Sequence, residues 1–172
     1  SSVNSAEKMF EKCSSLTNLD LSGFKTNNVN NMSGMFWNCS NLSTLVFSSS
    51  FNTSNVAYMG SMFENCSSLI NLDLSNFDTS NVQDMGGMFN GCSGLTSLDL
   101  SNFNTEKVSS SNMFYLMFNN CSSLQTLNLS GFTINGNANV TEMFKGCSRL
   151  KKIVLPKTIN STISFDDAGS SY

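Results

Sequence analysis

The chain has 172 residues, 12 acidic against 9 basic, for a formal net charge of −3, and it contains no histidine. That balance offers no basic face to nucleic acid, and the missing histidine removes Ser–His and Cys–His nucleophile activation together with the commonest general base. No apolar run reaches the roughly 18 residues of a membrane span, and the start lacks the charged-then-apolar plan of a secretion signal.

Charged residues make up 12% of the chain and apolar residues 40%. Serine and asparagine supply the missing polarity, so a folded domain with a neutral, hydroxyl- and amide-rich surface is expected. The six cysteines, at 13, 39, 66, 92, 121 and 147, recur at intervals of 26, 27, 26, 29 and 26 residues. A fixed period of this length is the signature of a stacked repeat array. One full unit is Met62-Phe63-Glu64-Asn65-Cys66-Ser67-Ser68-Leu69-Ile70-Asn71-Leu72-Asp73-Leu74-Ser75-Asn76-Phe77-Asp78-Thr79-Ser80-Asn81-Val82. About six units of ~26 residues, read as one domain over 1–172, can bury together the two faces that no single unit can. Val3 sits six residues before Met9, as Val29 does before Met35, so the chain opens mid-repeat and is expected to be a piece of something longer.

Taken in order, the first copy splices two periods. Leu19-Asp20-Leu21 alternates, which predicts a short strand with leucines inward and Asn18, Asp20 and Ser22 outward. Val29, Met32, Met35, Phe36 and Cys39 are spaced three and four apart, which predicts a short helical or 3-10 segment with one buried face, capped by Asn27 and Asn28. Ser-Gly or Ser-Asn before each second phenylalanine makes the turn out of the strand. The columns then read Phe10, Phe36, Phe63, Phe89, Phe118, Phe144 and Leu19, Leu45, Leu72, Leu98, Leu127, Ile153. The cysteines fit a ladder of buried thiols behaving as small hydrophobes. Zinc is not expected, because no Cys-x-x-Cys pair is present.

The copies deviate in four places. The second is one residue longer before Phe51, which suggests a bulge. The fourth carries additional residues in Ser109-Ser110-Ser111-Asn112-Met113-Phe114-Tyr115. The fifth has the looser turn Ile134-Asn135-Gly136-Asn137. Residues 150–172 keep one strand, then leave the pattern through Lys151, Lys152, Pro156 and Lys157, as a terminal cap and a tail would.

Leu-x-x-Leu-x-Leu is the strand signature of leucine-rich repeats, and the string Met-Phe-x-x-Cys-Ser-Ser-Leu-x-x-Leu-Asp-Leu-Ser-x-Phe-Asp-Thr-Ser-Asn-Val resembles the BspA-like leucine-rich repeats of bacterial surface proteins. The resemblance covers nearly the whole chain. It implies an α/β solenoid with parallel strands on one face and short helical or 3-10 segments on the other. It also implies an extracellular or cell-surface adhesion and binding role, without common enzymatic activity or cofactor. The family's usual asparagine is replaced by Phe24, Phe77 and Phe103, so another device must replace an asparagine ladder.

Candidate binding residues lie on the expected strand face: Asn18, Asp20, Asn71, Asp73, Ser75, Ser97, Asp99, Ser101 and Asn128. Their side chains suit hydrogen bonding to a protein or glycan on a host or neighbouring cell. The Asp column would repel itself at strand spacing unless the serines two residues on satisfy it. The competing reading is a weak calcium or ligand-amine site between Asp73 and Asp99, although calcium needs six or more oxygens. The aromatic alternative is Trp37, at a position that is Glu11, Glu64, Asn90, Asn119 or Lys145 elsewhere, with Tyr58; both are expected to face solvent, where such side chains make binding hot spots. Sequons at Asn38, Asn65 and Asn120 overlap the cysteine motif and follow from composition. Two other roles remain open: a spacer in a larger surface assembly, and a surface matched to ordered water through rows of Thr, Ser and Asn.

Overall fold

The computed structural model describes residues 4–109 and 113–160. The register of Val3, residues 110–112 of the fourth-copy insertion and the tail from residue 161 lie outside the described residues.

The Met-x-x-Met-Phe-x-x-Cys segments are not helical: no helix occurs among the described residues. Each segment is a run of tight turns instead. Two residues per repeat adopt a left-handed backbone, four apart. One set is Lys8, Gly34, Ser61, Gly87, Leu116 and Glu142; the other is Lys12, Asn38, Asn65, Gly91, Asn120 and Gly146, with φ between 52° and 78°. A right-handed helix cannot pass through such positions. Backbone donors therefore alternate in direction. Cys13, Cys39, Cys66, Cys92, Cys121 and Cys147 donate to the phenylalanine carbonyl three residues back, at 3.0–3.2 Å. Phe10, Phe36, Phe63, Phe89 and Phe118 donate instead to Met35, Met62, Met88, Met117 and Met143 of the following repeat, at 2.9–3.0 Å. Half of the turn backbone thus ties one repeat to the next. With no helix to cap, side-chain amides at the positions corresponding to Asn28 serve the same end: Asn55 and Asn81 donate to the carbonyls of Asn27 and Ser54.

From Asn65 onward the left-handed column alternates asparagine with glycine, and Gly91 shows why. A Cβ there would collide with the side chain of Asn65 one repeat below, and one at Gly146 would collide with Asn120. The asparagine occupies the space that the glycine leaves.

Strands are three residues long or shorter. β1 (Asn18–Asp20) pairs in parallel with β2 (Thr44–Val46), and β3 (Ser97–Asp99) with β4 (Thr126–Asn128), which pairs with β6 (Lys152–Val154). The pairs Leu19↔Leu45 and Leu98↔Leu127↔Ile153 put the expected leucine column in register. A third, unanticipated pair joins β5 (Thr133–Ile134) to β7 (Thr158–Ile159), so the last unit holds two strands. The single six-stranded face expected from sequence is interrupted, because Asn71–Asp73 forms no strand. The break follows the second repeat, where the extra residue lies and where Phe47 stands at the position of Leu21, Leu74 and Leu100. The Phe47 ring packs 4.6 Å from Phe51 and 5.0 Å from Phe77. The larger ring and the longer connection distinguish this rung from the paired ones.

The core is built of columns. Phe10, Phe36, Phe63, Phe89, Phe118 and Phe144 form one stack, with successive centroids 5.5–5.7 Å apart and planes within 10°. Such pairs add about 0.5–1.5 kcal/mol each beyond their buried area. The cysteine ladder holds from Cys39 onward, whereas Cys13 is exposed. The thiols do more than fill space. Cys39, Cys66, Cys92, Cys121 and Cys147 each donate S–H to a phenylalanine carbonyl of the preceding repeat, at 3.0–3.1 Å. The device that stands in for an asparagine ladder is threonine. Buried Thr53, Thr79 and Thr105 each donate to a carbonyl of the next repeat (Asp78, Asn104, Thr133) and accept the N–H of the same residue, at 2.8–2.9 Å. With Thr26, they are about 1% exposed. This threonine row is internal and cannot order surface water.

Candidate functional site

Strand geometry turns alternate side chains outward, and the structure places the sequence-derived candidates unevenly. Ser97, Asp99 and Asn128 come together with Thr126, Lys152 and Val154 around an open depression of about 300 Å³ on the sheet β3–β4–β6. Leu98 and Leu127, both buried, form its floor. Asn18 and Asp20 lie on the separate pair β1–β2, opposite Thr44 and Val46. Asn71, Asp73 and Ser75 belong to the rung outside any strand, and Ser101 sits in the turn after β3.

Each carboxylate closes its own turn. Asp20, Asp73 and Asp99 each accept the backbone N–H of the serine two residues on, Ser22, Ser75 and Ser101, at 2.8–3.0 Å. That N–H, helped by the same serine's hydroxyl, holds each carboxyl below its usual range. Asn128 repeats the turn with Ser130, and it pairs across the sheet with Asp99 in place of a second charge. Among the described residues no group of three or more Cys, Asp or Glu side chains is arranged to hold a metal. Asp73 and Asp99 are each engaged by the N–H of their own serine turn.

Sequence reasoning missed the apolar part of this face. Val46 and Val154 occupy the outward position held elsewhere by aspartate and are about 40% exposed; Ile70 and Leu155 are 55% exposed. A signal was present: Ile153-Val154-Leu155 is a continuous apolar run in a strand one face of which must meet solvent.

The aromatic pair is separated. Tyr58 is exposed as expected, bridging the backbones of Asn31 and Asp84. Trp37 is not solvent-facing but half-buried. Its indole N–H is buried without an acceptor, which costs about 1–3 kcal/mol. The ammonium groups of Lys8 and Lys12 lie 5.3 and 5.6 Å from the ring centroid. The left-handed positions 8 and 12 of the preceding repeat place both stems against the ring. Trp37 lines a pocket of about 320 Å³ on the turn face, with Lys8, Ser33, Gly60, Ser61 and Asp84. Tyr58 does not line it.

Four of the buried thiols, Cys39, Cys66, Cys92 and Cys121, are held protonated at neutral pH, whereas the side-chain hydrogen bond with Cys121 lowers Cys147. Burial pushes Cys92 up to about 12 and raises Cys39 and Cys66 as well.

With this geometry in view, residues 1–47 and 44–157 match the family described as "Mycoplasma protein of unknown function, DUF285". The chain belongs to that family. This DUF285 chain is also similar in backbone to the crystal structure of a T. pallidum leucine-rich repeat protein, TpLRR, at a TM-score of 0.60 and 22% identity. The match covers 87% of the DUF285 chain and 62% of TpLRR, so the chain spans under two thirds of that protein's length. The likeness identifies a leucine-rich-repeat-like fold. No curated protein matches the chain.

Proposed function

We propose that this DUF285 chain is a non-catalytic interaction module, a solenoid of about six repeats, displayed at the cell surface or secreted. On this reading its strand face adheres to a protein on a host or neighbouring cell. The observation that carries the proposal is the depression on β3–β4–β6. Its outward side chains (Ser97, Asp99, Thr126, Asn128, Lys152 and Val154) combine hydrogen-bonding, charged and apolar groups over a buried leucine floor. None of these outward groups is needed to close the core. A mixed polar and apolar patch on a rigid sheet is what a protein interface uses. The BspA-like string supports the surface setting, and the leucine-rich-repeat likeness supports an interaction role.

The test is binding of the chain to a panel of extracellular-matrix proteins, beside an Asp99→Lys/Val154→Asp variant. Binding that the folded variant loses supports the proposal. If both proteins are folded and neither binds any member of the panel, the module is a spacer within a larger assembly.

A further inference from the structure

The Trp37 pocket lies on the turn face, away from the strand face, and its chemistry is that of a small-ligand site. Four observations converge there. Trp37 is the only tryptophan of the chain and stands at a position that is polar in the other repeats. Its buried indole N–H has no acceptor, and orphaned buried donors in folded proteins call for a specific explanation such as an absent bound group. The Lys8 ammonium lies against the ring and, among the described residues, pairs with no carboxylate. Asp84 lies in the same pocket: one of its carboxylate oxygens accepts the Gly86 N–H, while the other reaches across Gly60, which has no Cβ to block it.

We propose that this pocket binds an acidic sugar ring, a carboxylated pyranose such as a uronate. The indole, with the lysine stems packed against it, offers an apolar wall to the sugar ring. The Lys8 ammonium takes the carboxylate as a charge-assisted hydrogen bond. Asp84, Ser33 and Ser61 accept from or donate to the hydroxyls. The volume, about 320 Å³, suits a single ring. A polyanion is disfavoured by Asp84 and by the net charge of −3, and an apolar ligand would leave Lys8 and Asp84 desolvated.

A single tryptophan makes the test direct, because all indole fluorescence comes from the site. The intact chain is titrated with glucuronic acid, with glucose and glycine as neutral and zwitterionic controls. The expected result is a saturable emission change with glucuronate alone. Lys8→Gln weakens it about tenfold or more. Asp84→Asn, which keeps the turn that Asn31 makes at the same position of the first copy, weakens it severalfold. Asp99→Lys, on the strand face, leaves it unchanged, which separates this site from the protein-binding surface. The proposal is overturned if folded wild type gives no saturable response up to about 100 mM, well above the roughly millimolar affinity of one small ring. It is equally overturned if glucose or glycine matches glucuronate, or if Lys8→Gln binds as well as wild type.

Discussion

The turn face and the strand face of this chain obey the same period but differ in continuity. On the turn face the phenylalanine stack runs unbroken from Phe10 to Phe144, and the thiol ladder from Cys39 to Cys147. On the strand face the parallel ladder stops at the third repeat. The register of the repeats is therefore held by the turns and by the threonine bridges, and the strands follow it. A face that carries little of the register is free to vary its outward side chains, and that is the face proposed above for interaction.

The largest effect should come from opening the stack at its middle. Phe63→Ala removes a fully buried ring that touches its neighbours on both sides, and a loss of about 3–5 kcal/mol is expected in urea unfolding. If it costs no more than a strand-face leucine, the stack is not what sets the register. Thr79→Val keeps the shape but leaves the Asn104 N–H and carbonyl without their bridge; a loss of about 1–3 kcal/mol is expected. Within the strand face, Leu98→Ala, at a paired and buried rung, should cost about 2–4 kcal/mol. Leu72→Ala, at the half-buried unpaired rung, should cost distinctly less, and equal costs would place hidden pairing there.

Thiol chemistry sharpens the same contrast. Cys13 should react with a thiol reagent in the native protein, and the five buried thiols only after denaturation. The pKa values of Cys39, Cys66, Cys92 and Cys121 are raised, whereas the hydrogen bond with Cys121 lowers Cys147, so at those four sites the folded state keeps protons that the unfolded chain releases near the ordinary value of 9.0. Stability is then fully present below pH 9 and falls as the pH rises toward the folded value of about 12 at Cys92. An unfolding midpoint that stays flat over that window would contradict thiol burial. The smallest stability effect, below about 1 kcal/mol, is expected for Asp73→Lys/Asp99→Lys on the exposed strand face.

The period, the inward columns and the turn after each strand were legible because side-chain burial repeats with the residue types. The helical reading of Val29 to Cys39 failed for a definite reason. Tight turns closed by bonds to the third residue back generate the same three-and-four spacing as a helix. The distinguishing mark was the left-handed column, where Asn38, Asn65, Gly91, Asn120 and Gly146 recur just before the cysteine. The break at Asn71–Asp73 follows the neighbouring rung that carries Phe47 and one extra residue, a departure that a single-repeat pattern does not encode. The surroundings of Trp37 were likewise hidden, because Lys8 and Asp84 reach it from other repeats.

The most direct test of a turn-held register is amide hydrogen exchange along one repeat. The N–H groups of Phe63, Asn65 and Phe89, which bond to the following repeat, should exchange only through global unfolding, with protection equal to the full unfolding free energy. The N–H groups of residues 71–73 should exchange by local opening, orders of magnitude faster. Protection that is high across 71–73 and low at Phe63 and Phe89 would contradict the account and return the register to the strands.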